Sequence, residues 1–279
     1  MINRNNPLRL WGMLLFQLAC CIVLPPRSIS LAQETEITVD KEVKQWLIPL
    51  FDRIQNATVS RATIALSEET LELGAVAKTR ESTYQIASKA PDQFTVYFKQ
   101  PDERRRVYCD GKQMVVAVSP EAYLAPVKPI STGEAVLAMP VPLGPYPEPL
   151  LALTLAGVDP SVSFLSGMKS VAMVGKEKFR GVSPSFHIRG VQQDDVSWDL
   201  WVSDESSPRP LRLIVDMTNM LRSDPNVQIP QGVEYQLRCD FSSWRISGEV
   251  DESLFVYQPK PTAKAYDSLD DYYESFADA

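Results

Sequence analysis

From about Val59 onward the hydrophobic pattern of this chain repeats every two residues, and that period leaves few folds open. Alternation sends successive side chains to opposite faces of an extended strand, so Val196, Trp198, Leu200 and Val202 share one face while Asp199 projects from the other. The same holds for Leu211, Leu213, Val215 and Met217, opposite Arg212 and Asp216, and for Val233, Tyr235, Leu237 and Cys239, opposite Glu234, Gln236 and Arg238. Earlier pieces of this kind run over 59–66, 82–88, 93–99, 104–109, 113–119 and 121–127. Further ones cover 170–179 and 182–190, the last with Ser183 and Ser185 at odds with its apolar neighbours. Asp110-Gly111 predicts a tight hairpin, because both central residues of the favoured two-residue turn need positive φ. Consecutive hairpins give an antiparallel meander with one apolar and one water-facing side.

Helices are few, so the chain is mainly β, an α+β domain. Asp40 is placed to cap a helix whose apolar residues Val43, Trp46, Leu47, Leu50, Phe51 and Ile54 recur at three- and four-residue spacing. The stretch 139–149 is proline-dense and must be loop; it runs into 149–168, which reads as one or two short helices. This insert is not a domain boundary, since one continuous sheet exposes fewer edges than two small ones. Residues 265–279, acidic with interspersed Tyr266, Tyr272, Tyr273 and Phe276, read as a mobile tail.

Residues 1–32 have the layout of a secretion signal: Arg4 and Arg9, an apolar run from Leu10 to Leu24, Pro25-Pro26, then Ser30 and Ala32 before a cleavage point between Ala32 and Gln33. The apolar run is short of the roughly 18 residues a membrane-spanning helix needs. Cys20 and Cys21 follow Leu18-Ala19 as in a lipid-attachment box, but Gln17 and the apolar residues beyond fit that box poorly, and lipidation stays open. The expected location is periplasmic or otherwise extracytoplasmic. Losing Arg4, Arg9 and Arg27 would move the formal charge from −7 to about −10, which disfavours nucleic acid and broad docking on anionic membranes. Cys109 and Cys239 would remain. An oxidising compartment permits them to pair, while their place on apolar strand faces equally makes each a small buried hydrophobe.

Signals of catalysis are sparse. His187 is the lone histidine, no nucleophile-elbow frame accompanies it, and neither a metal set nor a cofactor motif can be assembled. The chain therefore reads as a non-enzyme without cofactor or metal. Arg104-Arg105-Arg106 is the densest basic spot, able to meet an anionic headgroup or to stand as an exposed strand start. Trp201 falls on the polar side of its strand, where it either meets a partner or is covered by the insert or tail.

Three passages resemble a bacterial family of predicted periplasmic proteins, domain of unknown function 2092, itself similar to the carriers and receptors that move lipoproteins to the outer membrane (LolA/LolB-like). They are 101–127, with its Asp-Gly turn; 174–217, with Gly175, Gly181, His187 and Trp198-Asp199-Leu200-Trp201-Val202; and 242–264, with Trp244, Asp251, Phe255, Pro259, Pro261 and Ala263. The resemblance implies a strongly curved antiparallel half-barrel of about 10–11 strands over residues 33–264, with an N-terminal helix and short inserted helices on its concave side. It also implies an apolar ligand: a lipid, a lipoprotein acyl chain or a similar molecule. The wall of such a cavity would be drawn from Tyr84, Ile86, Phe94, Val96, Phe98, Met114, Val116, Val118, Trp198, Leu200, Val202, Leu211, Leu213 and Val215. Each is equally suited to a filled core, in which case the protein is an envelope interaction or scaffold module that meets another envelope protein. Ligand identity, partner and oligomeric state are not written in the pattern.

Overall fold

Period-two patterning is realised as one sheet. The computed structural model describes residues 38–101, 103–128, 148–165, 167–193 and 195–276. The signal segment with Ala32 and Gln33, the Cys20-Cys21 pair and most of the proline-dense loop lie outside the described residues. In chain order the strands are β1 (Thr38–Val39), β2 (Val59–Glu72), β3 (Ala75–Lys89), β4 (Gln93–Lys99), β5 (Arg104–Asp110), β6 (Met114–Ser119) and β7 (Ala122–Val127). They continue with β8 (Met168–Phe179), β9 (Ser183–Gln192), β10 (Ser197–Ser203), β11 (Pro210–Asp216), β12 (Val233–Ile246) and β13 (Lys264–Tyr266). Their order across the open, curved sheet is β1-β8-β9-β10-β11-β12-β2-β3-β4-β5-β6-β7-β13. The eleven strands β2 to β12 pair antiparallel, as expected, and β12 closes back on β2 to join the two runs of strands.

The short outer strands depart from the antiparallel expectation. Thr38–Val39 pairs parallel with β8, and Lys264–Tyr266 pairs parallel with β7, so the sheet is mixed at its rims. The second pairing also changes the reading of residues 265–279. Tyr266 lies beside Leu124, and a helix α5 (Leu269–Glu274), capped by Ser268, places Tyr272 against the core. The domain thus includes this segment through residue 276, and all described residues fall in one compact unit.

Two hairpins carry the positive-φ pairs: Leu73-Gly74 (φ 52° and 79°) between β2 and β3, and Arg180-Gly181 (φ 52° and 74°) between β8 and β9. At Asp110 the turn is shifted by one residue from expectation. Asp110 N–H bonds to Gln113 O, which leaves Gly111 and Lys112 as the central pair with positive φ only at Gly111. The Asp110 carboxylate accepts from Lys112 and Gln113 backbone N–H at 2.8 and 2.9 Å, which is why Asp precedes the turn rather than sitting inside it.

Helix α1 (Lys41–Gln55) begins where Asp40 caps it, accepting from Glu42 N–H at 3.1 Å, and buries Val43, Leu47, Leu50, Phe51 and Ile54. Its half-buried Trp46 stacks on Phe186 of β9 with ring centroids 3.5 Å apart. The insert supplies α2 (Glu148–Ala152) and α3 (Pro160–Leu165). A short helix α4 (Thr218–Ser223) joins β11 to β12, and a single 3-10 turn (Glu252–Phe255) follows β12.

Candidate functional site

The apolar strand faces converge on α1 and the insert. All fourteen residues expected at a cavity wall are buried, none more than 8 % exposed. Thirteen belong to one contiguous apolar cluster; Leu211 is buried outside it. The same cluster takes in Leu150, Leu151, Leu153, Leu155 and Phe164 of the insert and the apolar stripe of α1. Phe164 is the central knob, 5.6 Å from the Phe51 ring and edge-on to Trp198 at 5.1 Å. Trp198 in turn lies flat over Gly190 of β9, where a Cβ would come within 2.2 Å of the indole. The residue is glycine because the ring occupies the space of its side chain. The Trp198 Nε1–H is buried with no acceptor, an uncommon state for an indole in a core.

Few polar contacts hold the insert in the hollow. Trp244 Nε1–H donates to Leu153 O at 2.7 Å, Ala156 N–H donates to Ser88 Oγ at 2.8 Å, and Gly157 N–H donates to Ile54 O at 3.0 Å. Gly157 takes φ +79°, and a Cβ there would lie 2.8 Å from Ala90. Sequence reasoning placed these short helices on the concave side and left open whether they fill it. The signal was present in the near-continuous Leu150, Leu151, Leu153 and Leu155; nothing marked Ser88.

The polar face is organised differently. His187 Nε2 lies 2.5 Å from Asp199 Oδ1, and its Nδ1 lies 3.8 Å from Glu177 Oε1. Arg189 grips both Asp199 oxygens at 2.9 Å. Burial pushes the Asp199 carboxyl up, but the hydrogen bonds from His187 and Arg189 outweigh it and hold the group below its usual value. With a carboxylate facing each ring nitrogen, His187 is engaged by acidic side chains on both sides, and among the described residues neither nitrogen is turned toward a nucleophile. Trp201 stacks on His187 at 4.2 Å and donates its Nε1–H to Glu177; its cover is this cluster, not the insert or the tail. Ser185, odd by polarity, is buried and donates to Glu177 O at 3.1 Å.

Cys109 and Cys239 are both free and buried. They lie on β5 and β12, with β2, β3 and β4 between, at roughly 4.8 Å of sheet per strand. A disulfide needs Cα atoms within about 7 Å, so the strand order that folds the sheet also separates the thiols. Burial raises both thiol pKa values, most strongly at Cys239. The three consecutive arginines do not act together: Arg105 pairs with Glu103 and donates to Tyr273 Oη at 3.0 Å, while Arg106 turns over the Tyr97 ring at 4.8 Å. Among the described residues no set of three His, Cys, Asp or Glu side chains could hold a metal ion, and no helix is long and apolar enough to cross a membrane.

Comparison with known proteins gives one firm match. The family model described as "Predicted periplasmic protein (DUF2092)" matches residues 44–267. No curated protein matches. Among solved structures, the lipoprotein LppX of Mycobacterium tuberculosis is 15 % identical, with 76 % of this chain and 100 % of that one covered at a TM-score of 0.38. MucB is 14 % identical at a TM-score of 0.35; 78 % of this chain is covered, but only 64 % of MucB. A putative outer membrane lipoprotein-sorting protein domain from Vibrio parahaemolyticus is 11 % identical, with coverage of 76 % and 96 % and a TM-score of 0.34.

Proposed function

The chain belongs to this family of predicted periplasmic proteins, and from that premise we propose that it is a non-enzymatic periplasmic binding or carrier protein that takes an acyl chain or a comparable apolar segment against the concave face of its sheet. The observation that carries the reading is the nature of the cover. The apolar side of a thirteen-strand sheet is closed in its middle by the described insert, 148–165, whose filling side chains are leucines and one phenylalanine. That is the chemistry of a hydrocarbon chain, and among the described residues only a few hydrogen bonds link the insert to β3, β12 and α1. An acyl chain of a dozen methylenes gains about 0.8 kcal/mol per buried CH₂, enough to compete with such a segment. The Trp198 indole N–H would then meet an ester or amide carbonyl.

A second reading has its own observation. Every expected wall residue is already packed, which suits a filled-core module that recruits an envelope protein through its outer surface. Titration with a fluorescent fatty acid, combined with native mass spectrometry of protein purified without detergent, separates the two. The carrier predicts co-purifying lipid and probe uptake that rises when the latch is loosened in Trp244→Phe or Ser88→Ala. Exclusion of the probe by the wild type and by both variants would sink the carrier and leave the scaffold.

A further inference from the structure

The convex side of the sheet holds a groove that the carrier reading does not use. It has a volume of about 340 Å³ and is bounded by β12, β2, β3, β4 and β5, with Leu254 of the 3-10 turn at its rim. Three arginines enter it from different strands: Arg245 of β12, Arg61 of β2 and Arg106 of β5. Pairing explains how they meet. Arg245 and Arg61 are directly opposite one another across β12 and β2. On the next two strands the same row continues through Ala87 and Thr95, whose small side chains leave a floor between that pair and Arg106. Thr63 and Ser243, opposite each other one step along, put two hydroxyl-bearing side chains beside the arginines; Ser243 is exposed.

Charge distribution singles this groove out. Four other arginines of this face are matched: Arg189 with Asp199, Arg212 and Arg180 with Asp240, and Arg238 with Glu69. Among the described residues no carboxylate pairs with Arg61, Arg106 or Arg245. Arg61 donates only to a carbonyl, Glu249 O at 2.6 Å, and the Arg106 Nε–H is buried without an acceptor. Like charges directly opposite in a sheet destabilise it, and a chain with net charge −7 has carboxylates to spare for neutralising them. Convergent guanidinium forks with no internal counter-charge are the recognition chemistry of phosphate. A second groove of about 340 Å³ begins at the same Arg106 and Leu254 and is walled by Tyr108, Val256 and Tyr257, so the anion site opens onto a partly apolar neighbour.

We propose that Arg61, Arg106 and Arg245 form a binding site for a phosphate ester on the convex face, with the ester substituent directed along Leu254 toward Tyr108 and Tyr257. The phosphate bridges the two opposed arginines and meets the guanidinium of Arg106 where it lines the groove. The site is independent of the concave hollow, which lies on the other side of the same strands.

The test uses the full chain at constant ionic strength, with glycerol 3-phosphate as the soluble probe against chloride. A second arm measures co-sedimentation with phosphatidylcholine vesicles with or without phosphatidylglycerol. The expected result is saturable binding with a rise in Tm, weakened about tenfold or more in Arg61→Gln and in Arg106→Gln, in keeping with loss of a charge-assisted hydrogen bond. Without the anion, Arg61→Gln should melt at a higher temperature than the wild type, because the opposed pair is relieved; a merely structural arginine would lower Tm in both conditions, and that result overturns the proposal. Arginine-dependent binding to phosphatidylglycerol vesicles identifies a lipid headgroup as the source, and binding to the soluble ester alone identifies a free one. No saturable binding in either arm, or equal binding by the variants, disproves the site.

Discussion

Trp198 and Trp201 lie three residues apart on β10 and face opposite sides of the same sheet, which makes them a direct comparison of its two surfaces. On the concave side Trp198 is 1 % exposed, pressed between Gly190 and Phe164, with an unsatisfied N–H. On the convex side Trp201 is half-buried, stacked on the His187 ring and hydrogen-bonded to Glu177. One face is held by volume and the other by charge and direction. The concave face is held by close apolar packing, in which the Trp198 ring takes the space a side chain at Gly190 would need. The convex face fixes particular groups by hydrogen bonds and ring stacking.

The largest expected effect tests that contrast directly. Trp198→Ala removes a buried ring and leaves a cavity, with an expected loss of about 4 kcal/mol, whereas Trp201→Ala should cost about 1 kcal/mol because water can replace what it loses. Urea unfolding of the two variants measures both. Equal losses would mean that the two faces are packed alike and would dissolve the comparison. Gly190→Ala probes the concave side from the opposite direction. A Cβ there meets the indole at 2.2 Å, and the overpacking should cost about 2 kcal/mol or force the indole to turn, visible as a change in tryptophan fluorescence.

Alternation made most of this architecture legible. Val196, Trp198, Leu200 and Val202 read as one face, and they are one face, because a half-buried strand writes its burial into every second residue. The outer halves of β2 and β3 were not legible for the same physical reason. Over 67–81 the chain carries Glu68, Glu69, Glu72, Lys78, Arg80 and Glu81, and polarity on both faces erases the period, yet the hairpin continues through Leu73-Gly74. Glu69 is nearly buried there because Arg238 of β12 neutralises it, a partner 169 positions away that no local pattern announces. The edge pairing of 264–266 was hidden likewise, since two or three residues joining a rim need no alternation of their own. The buried apolar residues were legible as a set; whether helices or a ligand cover them was left open, because a helix insert and a ligand make the same apolar demand on the wall.

The convex charge cluster gives the next effect in size. Asp199→Asn removes the carboxylate that both His187 and Arg189 hold, and the expected loss at neutral pH is about 2 kcal/mol, typical of hydrogen bonds to a charged group. The sign of its pH dependence follows from the depressed pKa. Folding is favoured by the ionised form, so this stability is complete above the unfolded-state value, about 3.9, and is lost as pH falls through the lower folded-state value. Wild type and Asp199→Asn should therefore converge in acid, while the Trp198→Ala deficit persists there. Convergence of the Trp198 variant as well would show that the two faces are electrostatically coupled.

Glu252→Gln should have the smallest effect and is the finest probe of the difference. Lys89 and Glu252 form an ion pair between the end of β3 and the 3-10 turn, with side chains 37 % and 64 % exposed. Water competes for both groups, so the expected change is below about 1 kcal/mol and should be erased at high salt. The turn has a stronger attachment in Phe255, which is 1 % exposed, and that apolar anchor should keep Leu254 at the rim of the arginine groove without help from the ion pair. A salt-insensitive loss of several kcal/mol would reverse this. The convex face would then owe its form to the pair, and the groove beside it would be as conditional on its local contacts as the concave hollow is on its insert.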